Sequence, residues 1–306
     1  MKKNECFKIR IDEIDREKDI FDLSQGKLIK KIMCGFMGVS HIPKTIMADP
    51  FLFVFEDTLF LFYEDKSYGK DAVISMSSTK DLTHWTKSCV VLKETCHLSY
   101  PFVFEDDGDI YMIPETCALN EIRLYKANKT LTEFSYYSTL ITDRIKRENF
   151  SFSDTSVKKL NSTYYLMTTI CDSQNELKLF YSDNLIGPYK EHSQSPVVQS
   201  NKYGRNAGSL FEYGNKLYRV AQDCETGYGE NIHLFEVVNI SRENYLESLI
   251  RENLLDRNQD FYKFGGHQFN YTNFLGKNIV ATDAKEYRIF FCMKIINKIK
   301  KAWSKE

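Results

Sequence analysis

The chain has 306 residues, 42% hydrophobic and 27% charged, which is enough for a packed core in one large domain or two and too apolar for disorder. A formal net charge of −1 argues against a nucleic-acid binder with a broad basic face, so no nucleic-acid partner is expected. The eight cysteines show neither CxxC nor metal-finger spacing, Met1–Arg10 lacks the apolar run of a signal peptide, and no stretch has the length of a membrane-spanning helix, so a cytoplasmic setting with reduced thiols is expected.

Residues 1–40 are mixed and charged, with a possible strand or helix near Lys30–Met37. A hairpin pattern then starts and repeats. Its copies run from Asp49 to Glu64, Tyr100 to Glu115, Asp154 to Thr169, Ala207 to Asp223 and, more weakly, Gly266 to Asp283. In the second copy Asp106-Asp107-Gly108 between apolar runs is a strong hairpin turn signal. Each hairpin is followed by another β segment and an aromatic-tipped turn, as in Ala72 to Trp85 and Leu177 to Tyr189. The starts are 51, 54, 53 and 59 residues apart, and a period of roughly 50 with several strands per unit is the signature of a propeller. The expected fold is therefore all-β, a five-bladed β-propeller over residues 1–287. The alternative is an irregular β-sandwich, which the regular spacing disfavours. Residues 288–306 read as a basic amphipathic tail helix. Ile289, Cys292, Met293, Ile296, Ile299 and Trp303 fall on one face, and Lys294, Lys298, Lys301 and Lys305 on the other. Such a helix suits an anionic membrane surface, the alternative being a helix packed on the propeller with a solvated lysine face.

In a propeller the first strand of a blade lines the channel and the second returns antiparallel. The start of one and the end of the other then share a face. Asp49, Tyr100, Asp154, Ala207 and Gly266 fall around one mouth, with Glu64, Glu115, Thr169, Gln222, Asp223 and Asp283 one shell further out. Asp and Glu are poor strand formers, so strand stability does not explain a ring of acids there. Glycosyl transfer needs such acids, one to activate the nucleophile and another to protonate or stabilise the leaving group. Arg205 enters the fourth hairpin and would tune those acids or clamp a phosphate or carboxylate. Tyr228, in the Gly-rich loop that follows Asp223, would stack on a sugar ring. His267 would act on substrate or bind an ion on the axis, and His97 lies near the rim. Metal use is left open.

Ala48-Asp49-Pro50 resembles the opening of the five-bladed glycoside hydrolases of families 43, 32 and 68, where that resemblance makes the Asp a base or nucleophile. The second blade departs, with Tyr100-Pro101 where family 43 has Asp-Pro. A likeness over nearly the whole propeller is carried by Ala48–Phe51, His97–Gly108, Tyr111–Thr116, Leu217–Asp223 and Gly265–Gln268. These segments resemble the N-terminal domain of plant glucosamine inositolphosphorylceramide transferase. Bacterial proteins with this domain resemble envelope-polysaccharide enzymes, and mannoside phosphorylases and mannosyltransferases share the propeller scaffold. The acidic funnel, the missing signal peptide and the basic amphipathic tail lead to the expectation of a cytoplasmic glycosyltransferase that takes an activated sugar, such as a nucleotide sugar, and extends a cell-envelope or lipid-linked glycan at the inner face of the membrane. Asp49 would be the general base, Glu115 and Asp154 would bind sugar hydroxyls or assist the leaving group, and Arg205 with His267 would hold the donor phosphate. A glycoside hydrolase or phosphorylase of the same fold, and a non-catalytic glycan-binding propeller, are the alternatives; Tyr100 in place of an acid keeps the last one open.

Overall fold

The computed structural model describes residues 3–36, 42–142 and 151–290. Its strands are β1 (Asn4–Ile14) and β2 (Lys27–Ile32), then β3 (Lys44–Phe55), β4 (Thr58–Ser67), β5 (Val73–Thr79) and β6 (Cys89–Leu92). Next come β7 (Ser99–Asp106), β8 (Asp109–Glu115), β9 (Glu121–Ala127) and β10 (Phe134–Thr142). They are followed by β11 (Phe152–Leu160), β12 (Thr163–Cys171), β13 (Asn175–Ser182), β14 (Lys190–Glu191) and β15 (Val198–Gln199). The last are β16 (Arg205–Asn206), β17 (Phe211–Tyr213), β18 (Lys216–Asp223), β19 (Asn231–Ile240), β20 (Tyr245–Arg251), β21 (Phe269–Phe274) and β22 (Lys277–Arg288).

Antiparallel pairing groups the strands into successive units: β3–β6 (unit I), β7–β10 (II), β11–β15 (III), β16–β20 (IV), and β21–β22 with β1 and β2 (V). Units I and V join in one eight-stranded sheet through a single parallel pairing of Phe7 with Ile46. The inner hairpins share one device. Residues 56–57, 107–108, 161–162, 214–215 and 275–276 form two-residue turns, and the first residue of each is left-handed, with φ between +48° and +57°. Such turns match the right-handed strand twist, which is why the Asp107-Gly108 signal is legible in the sequence.

The units close into a ring. The first strands touch in cyclic order, β3 with β7, β7 with β11, β11 with β16 and β21 with β3, while Phe269 N–H donates to the Ala207 carbonyl at 2.8 Å between units IV and V. Five apolar clusters fill the joints. Phe62 and Met76 meet Val103 and Met112 between I and II, and Ile113 and Ile122 meet Val157 and Leu166 between II and III. Met167 and Leu179 meet Leu210 and Val237 between III and IV. Val220 and Leu234 meet Phe269 and Val280 between IV and V, and Ile9 and Ile279 meet Leu59 and Leu61 between V and I. In unit I, residues 51–55 and 59–63 are buried or half-buried on both faces and read as near-continuous apolar runs. The outer strand β20 is mostly exposed.

The first forty residues hold the main surprise. β1 pairs with β22 along its whole length, from Asn4↔Arg288 to Ile14↔Asn278, so the N-terminal strand completes the unit begun by the last hairpin. The tail helix expected over 288–306 lies outside the described residues from residue 291 on, and Arg288 ends β22. Among the described residues no helix is long and apolar enough to cross a membrane.

One polar cluster lies inside unit IV. Arg219, fully buried, donates from Nε and Nη2 to Glu247 Oε2 and Oε1 at 2.7 and 2.6 Å, and from Nη2 to the Tyr203 carbonyl at 3.1 Å. Arg219→Met strands the Glu247 carboxylate and is expected to cost about 3–5 kcal/mol in urea unfolding, most of it recovered by the Arg219→Met/Glu247→Leu double variant.

Candidate functional site

The first strand of a unit departs from regular pairing three times in the same way. Register slips between Ala48 and Phe51, Ser99 and Phe102, and Ser153 and Ser156. Asp49, Tyr100 and Asp154 occupy these bulges with φ of +51°, +46° and +51°. A left-handed residue other than glycine costs about 1 kcal/mol, and a bulge frees a backbone N–H from the ladder. Each freed N–H finds a side-chain oxygen. Asp49 donates to Asp283 Oδ2 at 3.2 Å, Tyr100 to Asp49 Oδ2 at 3.0 Å and Asp154 to Glu115 Oε2 at 3.1 Å. In unit IV, Asn206 N–H donates to Thr169 Oγ1 at 3.1 Å. The acids at the strand ends therefore join one unit to the next, besides any chemistry they perform.

Eight of the residues singled out from the sequence line one cavity of about 220 Å³: Asp49, Glu64, His97, Glu115, Asp154, Arg205, Tyr228 and His267. Tyr100 and Asp223 do not line it. Tyr100 is fully buried, its ring packed edge-on against Phe51 at 4.8 Å; its backbone N–H donates to Asp49, and its hydroxyl lies buried beneath the same acids rather than in the cavity lining. Burying that ring among Phe51, Phe102 and Ile113 outweighs exposing it in a polar mouth. Asp223 faces His233, whose Nε2 lies 3.3 Å from Oδ2, while its neighbour Gln222 points inward to Asp154 Oδ2 at 3.3 Å. Alternation along β18 sends adjacent side chains to opposite faces.

Arg205, His97 and His267 each meet an acid in the cavity. Arg205 Nε lies 2.6 Å from Asp154 Oδ2, and its guanidinium sits over the Tyr228 ring at 4.9 Å. Tyr228, 40% exposed, meets His267 edge-on at 5.0 Å, and Phe7 stacks on the other side of His267 at 4.6 Å. His97 Nε2 is 3.0 Å from Glu64 Oε1, and its Nδ1 accepts the Ala72 N–H at 3.4 Å. Burial, with Asp154 adding to it, pushes the Glu115 carboxyl up from 4.5 to about 7, against the pull of Arg205. Asp49 is raised well above the carboxylate range by burial and by Glu64, Asp283 and Asp154, against the pull of His267.

His267 Nδ1 lies 2.5 Å from Asp283 Oδ2 and Nε2 lies 3.6 Å from Asp49 Oδ1. These three side chains bring ligand atoms within 4.8 Å of one another and are the compact group among the described residues that a metal would need. The 2.5 Å contact is too close for two ligands of one ion with bonds of about 2.0–2.2 Å, and it fits an imidazolium held between two carboxylates. Burial opposes that charge, but Asp283 and Asp49 more than offset it and raise the imidazole from 6.5 to about 9. A raised folded value favours the fold below pH 6.5, and this contribution is lost as pH rises through 9. His267→Gln is expected to remove a contribution on the order of 3 kcal/mol, flattening the fall in stability over that window in pH-resolved urea melts.

Sequence reasoning missed Glu5, Phe7 and Lys66 in the lining. The alternation of Phe7, Ile9 and Ile11 is a strand signal, but nothing local names β22 as its partner.

By fold this is a propeller-like all-β protein of the architecture found in glycoside hydrolases. A family 117 glycoside hydrolase from Zobellia galactanivorans superposes with a TM-score of 0.57 at 12% identity, over 92% of this chain and 90% of that one. The family 43 protein BlXynB from Bacillus licheniformis gives 0.54 at 16% identity, over 68% and 43%. The chain belongs to the family of the N-terminal domain of glucosamine inositolphosphorylceramide transferase 1, whose family model matches residues 29–281. It is 35% identical over 215 residues to the protein of that name from Oryza sativa subsp. japonica, and 31% identical over 226 residues to that from Arabidopsis thaliana. These matches take in 67% and 71% of this chain but only 28% of each relative's length.

Proposed function

We propose that the five units are the blades of a five-bladed β-propeller, and that the cavity is the active site of a glycosyl-transfer enzyme working on a cell-envelope or lipid-linked glycan. The observation that carries this reading is a pair of carboxyl groups in unlike surroundings within one cavity, one ion-paired to an arginine and one buried without an ion-pair partner among the described residues. Glu115, at about 7, is placed to give up a proton, while Asp154 is matched to Arg205 at 2.6 Å. Glycosyl chemistry needs one protonated and one ionised carboxyl. Glu115 donates its proton to the leaving group, and Asp154 faces the positive charge that develops at the anomeric carbon. Asp49, 3.6 Å from His267 Nε2, takes the proton of the acceptor hydroxyl when it is in its ionised form. Tyr228 supplies a face for the sugar ring. The transferase names of the relatives support transfer from an activated sugar, although those names describe proteins of which this chain matches a part. Placement at the inner face of a membrane through residues 288–306 belongs to the same proposal.

Hydrolysis is the second reading, because solved structures of this fold include glycoside hydrolases. Incubation with nucleotide sugars and a lipid-linked acceptor tests the first. Asp49→Asn is expected to lower transfer by about 10²–10⁴-fold, and transfer equal to wild type overturns the role given to Asp49. Free sugar released from oligosaccharides without a donor assigns hydrolysis instead, and saturable glycan binding with no turnover assigns a binding module.

A further inference from the structure

Of the basic side chains that line the active-site cavity, all but Lys66 are matched by acids among the described residues. Arg205 is matched by Asp154, His267 by Asp283 and Asp49, and His97 by Glu64. A phosphate on the sugar substrate would meet carboxylates there. Beside the cavity lies an open groove of about 550 Å³, formed by the turn between β4 and β5 and the segment after β6. Lys66, Lys70 and Lys93 line it, and Lys66 lines the cavity too. The wall between the two is thin, since Ala72 of the groove donates its N–H to His97 of the cavity. None of the three lysines forms an ion pair among the described residues, whereas Lys44 pairs with Asp65 and Lys285 with Glu230. The groove also holds Asp71 and Glu94, and Glu94 Oε1 already accepts the Tyr125 hydroxyl at 2.9 Å. Three ammonium groups thus face two carboxylates, a local positive excess on a chain whose net charge is −1.

We infer that this groove is a phosphate subsite, which holds the phosphate of the sugar-bearing substrate while the sugar reaches the acid cavity through the Lys66 side. Lysine serves phosphate as a compact, mobile point charge. The inference rests on the glycosyl-transfer reading for its purpose but not for its test.

The probes are inorganic pyrophosphate, followed by titration calorimetry at low salt, and phosphatidylcholine vesicles with and without phosphatidic acid, followed by co-sedimentation. The full chain is compared with Lys70→Glu/Lys93→Glu, with Glu115→Gln, and with Lys87→Glu/Lys129→Glu, an exposed pair outside the groove lining that makes the same change in net charge. Lys70 and Lys93 are exposed, so the groove variant should melt with wild type. Binding is expected to fall by about tenfold or more in the groove variant and to weaken with salt, while Glu115→Gln and the control pair bind as wild type. Lysine-dependent binding of pyrophosphate alone assigns a soluble phospho-sugar, and of phosphatidic acid vesicles alone a lipid-linked one. No binding of either probe to wild type, or equal loss in the control pair, overturns the subsite. If the lysines govern binding but no sugar is transferred, the glycosyl-transfer reading fails and the subsite stands.

Discussion

Asp283→Ala is expected to destabilise the fold by about 3–5 kcal/mol, read as a lower urea midpoint with an unchanged denaturant slope. Asp283 is fully buried, and its two oxygens accept three backbone N–H groups and lie against the His267 imidazole. Oδ1 accepts the N–H groups of His267 and Gln268 at 2.8 and 3.1 Å. Oδ2 accepts the Asp49 N–H at 3.2 Å and faces His267 Nδ1 at 2.5 Å. Truncation leaves three buried backbone donors and an imidazolium without their partners, and each orphan costs on the order of 1–3 kcal/mol. The damage is also topological, because the bond to Asp49 ties unit V to unit I. Asp283→Asn keeps an acceptor oxygen but removes the counter-charge, so its cost should shrink when His267→Gln is added. A double-mutant cycle that shows strict additivity would refute the coupling of these two groups.

The second large effect is chemical. Glu115→Gln is expected to lower turnover by about 10²–10⁴-fold while keeping the fold, since glutamine Oε1 can still accept the Asp154 N–H. The pH profile separates the loss of a proton donor from the loss of a shape. With a folded value of about 7, wild-type Glu115 carries its proton below neutrality and loses it above, so the rate should fall on the alkaline side of pH 7. The residual rate of Glu115→Gln should lack that limb. The same shift acts on stability with a definite sign. A carboxyl raised from 4.5 to about 7 in the fold favours the folded state at acid pH, and that contribution is lost as pH rises from 4.5 through 7. Rates measured from about pH 5 to pH 9 decide the matter, and an alkaline limb retained in the variant assigns the proton to another group.

Much of the architecture is legible in the amino-acid order, because the repeated devices are local. A two-residue turn such as Asp107-Gly108, flanked by Phe102 to Glu105 and Ile110 to Ile113, announces a hairpin within ten or so residues. Its recurrence brings Asp49, Glu115, Asp154 and Arg205 to one mouth without further information, and these residues do share a cavity. Where sequence and structure part, the deciding interaction is not local. The repeat puts Tyr100 at the mouth as the counterpart of Asp49 and Asp154, and its backbone does adopt their left-handed bulge. Its side chain goes to the core because Phe51, from another unit, offers it a ring to pack against. Asp223 and Gln222 differ by one residue, and only the register of β18 on β19 decides which of them faces Asp154.

The sequence by itself determined the repeat, the hairpins and the acids, since turn chemistry and strand alternation act between neighbours. How the ring closes, and why Asp49 and Glu115 hold their protons more tightly than free carboxyls, came from the tertiary structure. Closure sets Ile9 opposite Asp283 and hands the Asp49 N–H to that same aspartate, contacts between residues more than two hundred positions apart. The proton states follow from burial and from charges that only the closed ring brings together. Glu115 is raised because burial shuts water away from it and the neighbouring Asp154 charge opposes its ionisation, and Arg205 is no free clamp because Asp154 has already taken its charge.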